Sequence, residues 1–85
     1  MNICFTPDGW ADYEYWIKEN DRKMVKRLNE LIRDIQRDPF SGIGKPERLK
    51  ENLTGYWSRR INSEHRLVYA IDDGDIVIIQ CRFHY

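Results

Sequence analysis

The sequence predicts an α+β fold with the element order β-α-α-β-β-β, in which two helices pack on one face of an antiparallel sheet. Two observations lead to this prediction. Apolar residues recur with helical spacing up to about residue 38, and they alternate with polar residues from Tyr56 onward. Because 85 residues can bury one hydrophobic core but not two, we expect a single domain over residues 1–85.

The first half of the chain predicts a short strand over residues 2–6 and two helices. Thr6 and Pro7 are typical of a helix N-cap and a first helical position. The first helix carries a large apolar stripe that we expect to lie in the core: Trp10, Tyr13, Trp16 and Ile17. The second helix is predicted to begin after Asp21 and to run to about Asp38, where the following proline ends it.

The second helix is predicted to have an apolar face and a basic face. One arc of the helix holds Met24, Val25, Leu28, Leu31, Ile32 and Ile35. The far side holds four cations, which we call the basic ridge: Arg22, Lys26, Arg33 and Arg37. The whole chain has no net charge, with 14 basic and 14 acidic residues, so its charge is segregated into blocks. A basic block suits a phosphate-bearing partner, or it is an ordinary solvated surface, and both interpretations stay open here.

The second half of the chain predicts three strands joined by short turns. Residues 40–47 contain two glycines and a proline and are predicted to be a loop. The predicted strands cover residues 56–62, 65–72 and 75–84. Asp73 and Gly74 are typical of a tight hairpin turn. We expect Arg82 and Phe83 to complete the last strand.

Composition argues against several classes of protein. Cys4 and Cys81 lie in strand-like runs and are expected to be buried reduced thiols. With His65 and His84 as the two histidines, and no CxxC or HxxxH spacing, we expect neither a metal site nor a cofactor. No apolar run reaches ~18 residues and no signal peptide is evident, so we expect a cytoplasmic protein without a membrane span.

Titratable and cationic residues are predicted to converge at one end of the sheet. Counting back from the hairpin turn places Arg66 opposite Arg82 or Phe83, and therefore close to His84. Arg60 lies across the preceding turn from about residues 64–66. Three loop residues could close over this end, although sequence alone does not place them: Lys45, Glu47 and Lys50.

This set of residues suits RNA cleavage, in which the RNA supplies its own 2′-hydroxyl nucleophile. Such a reaction needs a base, cations for the phosphorane charge and an acid for the leaving 5′-oxygen. Glu47 is a candidate base and His84 a candidate acid, while Arg66 and Arg60 can hold phosphate oxygens. Tyr85 offers a ring for stacking an unpaired base.

A purely structural interpretation of the same residues also stays open. A lone glutamate or histidine is most often structural or simply on the surface. Arg59 and Arg60 could pair with nearby carboxylates, for which the candidates are Glu51, Glu64 and Asp72.

Long segments of the chain match a known family. The aromatic residues Trp10, Tyr13 and Trp16, the runs KRLNELIRDIQRDPFSGIGKPE and LTGYWSRRINSEHRLVY, and the terminal HY resemble the YoeB-type toxins of the RelE/ParE superfamily. The resemblance spans the whole chain without insertions. It implies a toxin of a type II toxin–antitoxin module that cuts mRNA in the A site of the ribosome and so stops translation. It also implies an antitoxin that resembles YefM, with a disordered acidic segment that folds on binding, and it suggests a homodimer.

The resemblance also implies roles for individual residues. Glu47 in GKPE would be the general base, His84 the general acid, and Arg66 in EHRLVY would stabilise the phosphorane. RNA would be held by Lys50, Arg60 and Tyr85, with Arg59 as a further candidate. Alternation, however, places Arg59 on the opposite strand face from Arg60.

Two positions depart from the family pattern. Phe83 stands where tyrosine is common, which costs a hydroxyl, and Arg48 replaces a proline, which would loosen the loop around Glu47. Neither change removes a proposed catalytic group.

Two other functions compete with the nuclease. The first is a non-catalytic toxin of the same fold, such as the gyrase inhibitors of the ParE branch, which lack the carboxylate, arginine and imidazole set. The second is a plain RNA-binding module that uses basic strands and aromatic side chains and would be indifferent to the loss of His84.

Overall fold

Two helices and five strands make up residues 1–84, the part of the chain that a computed structural model describes. In chain order the elements are β1 (Ile3–Phe5), α1 (Pro7–Lys18), α2 (Arg22–Arg37), β2 (Glu47–Arg48), β3 (Trp57–Arg60), β4 (Arg66–Asp72) and β5 (Asp75–Gln80). A single 3-10 turn over Glu51–Leu53 joins β2 to β3. The α+β prediction is confirmed, and the structure adds the two-residue strand β2, which begins at the last residue of the segment that we predicted to be a loop.

Both helices begin at the predicted caps. The Thr6 hydroxyl accepts a hydrogen bond from the Gly9 N–H at 3.1 Å, and an Asp21 carboxylate oxygen accepts one from the Met24 N–H at 3.1 Å. Each cap satisfies a backbone donor that the first helical turn leaves without an internal partner.

The sheet is mixed rather than purely antiparallel. Its strand order is β1-β5-β4-β3-β2, and β1 runs parallel to β5, with Ile3 beside Ile76. The other neighbouring strands are antiparallel. The hairpin between β4 and β5 turns at Asp73 and Gly74, which have φ angles of 51° and 81°. Two successive positive φ angles match the right-handed twist of the strands that this turn joins.

The core lies between the helices and one face of the sheet. Its buried members are Trp16, Met24, Leu28, Leu31, Ile32, Ile35, Ile61, Leu67, Tyr69, Ile76, Ile78 and Cys81. The predicted apolar face of α2 is therefore confirmed, with Val25 packing at its margin. The prediction for α1 is partly wrong, because Trp10 and Ile17 are about half exposed. Trp10 packs edge-on against Phe5, with ring centroids 5.4 Å apart, at the edge of the sheet.

The two cysteines lie in different environments. Cys81 is buried, and burial raises the pKa of its thiol to about 12. Cys4 is exposed, which corrects our prediction of two buried thiols. Cys4 belongs to the edge strand β1, where it pairs with Val77 of β5. Its side chain lies on the sheet face that the helices do not cover. Within residues 1–84, neither helix has the length and apolar character needed to span a bilayer.

Candidate active site on the open face of the sheet

Strand register divides the sheet into a helix-covered face and an open face. Leu67 and Tyr69 belong to the core, so the residues that alternate with them in β4 point away from the helices. Directly paired residues of antiparallel strands share a face. The open face, so called because the helices do not cover it, therefore carries Glu47, Ser58, Arg60, Arg66, Val68 and Gln80. Ser58 and Val68 are nonetheless buried there.

Two arginines stand side by side on this open face. Arg60 in β3 pairs directly with Arg66 in β4, as the sequence predicted. The Arg66 Nη1 donates hydrogen bonds to the carbonyl oxygens of Asn62 at 2.8 Å and His65 at 3.1 Å, which fix one edge of its guanidinium. Two adjacent guanidinium groups concentrate positive charge and favour an anion between or above them.

The ion pairs in residues 1–84 lie elsewhere. They join Asp34 to Arg37 at 2.9 Å and to Arg59 at 2.6 Å. Arg60 and Arg66 thus have no carboxylate within 4 Å among the described residues. The alternative that Arg59 or Arg60 pairs with Glu51, Glu64 or Asp72 is wrong for this part of the chain.

Strand β2 carries the candidate base to the same face. Glu47 is exposed and pairs with Ser58 at the edge of the sheet. From Arg66 it lies two strands across and two residues along, so the two Cα atoms are on the order of 12 Å apart. Side chains of this length can reach a phosphodiester between them. Lys50 is exposed directly before the 3-10 turn.

Backbone contacts hold the segment that leads into β2. The Arg60 N–H donates to the Gly44 carbonyl at 2.7 Å, and the Leu49 N–H donates to the Tyr56 carbonyl at 2.9 Å. Gly44 has a φ of 78°, and a Cβ there would lie 2.8 Å from a methyl group of Leu31. Glycine lets this loop pass close to α2, and the loop thereby positions Glu47.

Arg59 is a core residue and not an RNA contact, which corrects its place among the candidates. Its side chain is fully buried on the helix-covered face. Its N–H groups donate to five acceptors at 2.6 to 3.2 Å: the Tyr69 hydroxyl, an Asp34 carboxylate oxygen and the carbonyls of Asp38, Ser41 and Ile43. The guanidinium therefore ties the loop after α2 to the sheet.

The last strand ends earlier than predicted. β5 stops at Gln80, so Arg82 and Phe83 do not complete it. The Cys81 N–H donates to an Asp12 carboxylate oxygen at 3.1 Å, and the Cys81 carbonyl accepts from the Trp16 indole at 2.9 Å. Helix α1 thus binds both backbone groups of Cys81 and turns the chain away from the strand direction. Burial raises the pKa of the Asp12 carboxyl, and the bond from Cys81 opposes that rise.

The chain end returns to the start of β4. The Phe83 carbonyl accepts from the Arg66 N–H at 3.0 Å, and the Phe83 N–H donates to His65 Nδ1 at 2.7 Å. The predicted position of Arg66 opposite Arg82 or Phe83 is therefore confirmed, and His84, which is exposed, is the next residue of the chain. Tyr85, which we predicted to stack on an unpaired base, lies outside the described residues.

Sequence reasoning missed the residues that hold this chain end. His65, Asp12 and Trp16 bind backbone atoms, and no composition or spacing rule identifies such contacts. The position of His65 next to Arg66 in EHRLVY is the one signal that the sequence offers. Within residues 1–84, no group of three or more histidine, cysteine or acidic side chains is arranged to hold a metal ion.

A concave surface lies away from these residues, along the outer side of α2. This groove of about 870 Å³ includes the whole basic ridge, with apolar side chains of Ile17, Val25 and Ile43 among its lining. The four residues of the basic ridge are exposed, as predicted.

Solved structures identify the class of protein. A YoeB/ParE toxin from Agrobacterium tumefaciens superposes with a TM-score of 0.95 at 49% identity, covering all of both chains. The toxin in a heterotetrameric YoeB–YefM toxin–antitoxin complex from Staphylococcus aureus superposes with a TM-score of 0.89 at 57% identity, covering all of this chain and 98% of the other. The chain in a structure of the S. aureus YoeB dimer superposes with a TM-score of 0.90 at 57% identity, covering all of this chain and 98% of the other. The fold is that of a small bacterial toxin.

The sequence comparison gives the particular family. The model of the YoeB-like toxins of bacterial type II toxin–antitoxin systems matches residues 5–85, and the chain belongs to that family. The toxin YoeB of Synechocystis is 66% identical over 85 residues, which cover all of this chain and 98% of that protein. The resemblance stated from the sequence is therefore confirmed.

Proposed function

We propose that this toxin is an endoribonuclease that cuts mRNA in the A site of the ribosome, without a metal cofactor, and so inhibits translation. The observation that supports this most directly is the open face of the sheet. On it, the exposed Glu47 lies two strands from two arginines that have no carboxylate partner in the described residues. The bond from the Arg66 N–H to the Phe83 carbonyl brings the backbone to within one residue of His84 there.

Each residue has one step in the proposed reaction. Glu47 removes the proton from a ribose 2′-hydroxyl, whose oxygen then attacks the adjacent phosphorus. Arg66 and Arg60 bind the phosphate oxygens that gain charge in the phosphorane. His84 gives a proton to the 5′-oxygen as the P–O5′ bond breaks. The products are a 2′,3′-cyclic phosphate and a free 5′-hydroxyl, and no water or metal is needed for the first step.

The proposed partners follow from charge and from the relatives. In the S. aureus structure a YoeB toxin forms a complex with YefM, so we propose a YefM-like antitoxin for this chain, and the S. aureus dimer favours a homodimer. The basic ridge suits an anionic partner, either ribosomal RNA or the acidic segment of the antitoxin.

Lys50 and Tyr85 are proposed to hold the message, and we propose a cytoplasmic location because the ribosome is the site of action.

Primer extension on programmed ribosomes tests the proposal. We expect the wild type to cut within the A-site codon, and Glu47→Ala and His84→Ala each to slow cleavage by about 100-fold or more, the usual loss when a general base or acid is removed. Both side chains are exposed, so the melting temperature should not change. Glu19→Ala removes another exposed carboxylate, at the C-cap of α1, and is the matched control.

The outcomes separate the competing functions. Retained cleavage in both variants would remove the assigned base and acid. Binding without cleavage by the wild type would favour an RNA-binding module. No effect on ribosomes, in a preparation free of antitoxin, would favour a ParE-like toxin and a gyrase assay.

A further inference from the structure

We infer that His65 is a positioning residue of the candidate site, because its imidazole holds the chain end in the conformation that presents His84 beside Arg66. The inference rests on the proposed function, in which His84 is the general acid. His65 itself does not reach the reacting atoms. It acts on the backbone one residue before the acid.

The backbone of Phe83 needs to be held in place. Its φ is 64°, in the left-handed region that residues with a side chain rarely adopt. Such a conformation persists where its surroundings enforce it. Phe83 is 58% exposed, so burial does not supply that enforcement.

Hydrogen bonds between Phe83 and two consecutive residues, His65 and Arg66, enforce this conformation instead. The His65 Nδ1 accepts the Phe83 N–H at 2.7 Å, and the Arg66 N–H donates to the Phe83 carbonyl at 3.0 Å. Both peptide groups that flank the Phe83 Cα are therefore fixed from the start of β4. The direction in which the chain leaves Phe83 sets where His84 lies.

The imidazole is itself well oriented. It packs against the Trp16 ring in a T-shaped arrangement, with centroids 4.9 Å apart and planes at 78°. The backbone N–H of His65 donates to the Asn62 side-chain oxygen at 2.8 Å, and this bond fixes the backbone from which the ring projects. A ring that accepts at Nδ1 is neutral and carries its hydrogen on Nε2. Its role here is that of an acceptor at a fixed point.

Two substitutions separate the acceptor from the ring. His65→Asn places an amide oxygen close to the position of Nδ1 but removes the ring. His65→Phe keeps a ring against Trp16 but removes the acceptor. We expect the asparagine variant to cleave within about threefold of the wild type. We expect the phenylalanine variant to lose roughly 10- to 100-fold in kcat, with ribosome affinity unchanged, because a small displacement of a catalytic group is costly.

Amide hydrogen exchange at Phe83, followed by NMR on the full chain, gives a readout that does not depend on cleavage. We expect protection in the wild type and in His65→Asn, and exchange at least about 10-fold faster in His65→Phe, as the hydrogen bond opens. The reverse pattern, with the phenylalanine variant protected and active and the asparagine variant impaired, would overturn the inference. If the wild type itself fails to cut RNA, the proposed function fails, and the exchange data still decide whether His65 holds the chain end.

Discussion

Neighbouring arginines in β3 have opposite roles because strand alternation sends them to opposite faces. Arg60 lies on the open face beside Arg66, whereas Arg59 is buried with five hydrogen-bond acceptors around it. Alternation in the sequence predicts this difference in direction. It does not predict that the helix-covered side holds a complete set of acceptors for a guanidinium, because these come from a loop that is distant in sequence.

Asp34 offers a test of the buried arginine. It binds the buried Arg59 on one side and Arg37, whose side chain is 59% exposed, on the other. Hydrogen bonds from Arg37 and from the Ile43 N–H hold the pKa of the Asp34 carboxyl well below its usual range, so it is ionised at neutral pH. Asp34→Ala leaves the Arg59 charge buried without its carboxylate, and we expect a loss of about 3–5 kcal/mol in the free energy of unfolding.

Arg37→Ala is the matched control for that measurement. It removes the exposed partner of the same carboxylate, and we expect a much smaller loss, because solvent screens an exposed ion pair. Urea denaturation of both variants at pH 7 makes the comparison. Similar small losses for the two variants would show that Arg59 does not depend on Asp34.

At the scale of elements, local signals predicted the helices well and the site only in part. Caps and apolar periodicity set the bounds of α1 and α2 to within about a residue. The tight turn at Asp73 and Gly74 sets the register of β4 against β5 as far as Tyr69 and Ile78. A register shift next to Val68 follows, so the sequence could predict the proximity of Arg66 to the chain end only to within a residue. Strand β2 is two residues long within a loop rich in glycine and proline, so its pairing with β3 leaves no pattern in the sequence.

The end of β5 shows a second limit of local reasoning. Alternation continues to His84 in the sequence, yet pairing stops at Gln80 because Asp12 and Trp16 of α1 bind the backbone of Cys81. Side chains from a distant helix compete with the strand neighbour for the same backbone groups. A pattern within one segment cannot report that competition.

The packing of α1 on β5 gives a prediction in which tertiary contact overrides helix propensity. Gly9 lies in α1, where alanine would ordinarily stabilise a helix by about 1 kcal/mol. A Cβ at this position would collide with the Ile78 carbonyl oxygen, so the helix and strand would have to separate. We therefore expect Gly9→Ala to lower the melting temperature. Ala11→Gly, at an exposed position of the same helix, should cost no more than about 1 kcal/mol, and a stabilised Gly9→Ala would contradict the close approach.

Over the whole molecule, the two ends of the chain lie at opposite ends of β5. β1 runs parallel to β5, so residue Ile3 lies beside Ile76, near the hairpin turn. β5 then runs for about 17 Å before the chain reaches its C-terminal residues. The proposed site is thus separated from the N-terminus and directly adjacent to the C-terminus.

This arrangement predicts that fusions at the two ends have unequal effects. A folded domain fused after Tyr85 would crowd His84 and the open face, and it would pull on the contacts that fix Phe83. The same domain fused before Met1 lies beyond the hairpin end of the sheet. We expect the C-terminal fusion to lose about 10-fold or more of ribosome-dependent cleavage, since misplacing a catalytic group carries a cost of that order, and the N-terminal fusion to retain it. Primer extension measures the cleavage by both fusions, once their melting temperatures are shown to be equal. Equal activities would place the reaction away from the chain end.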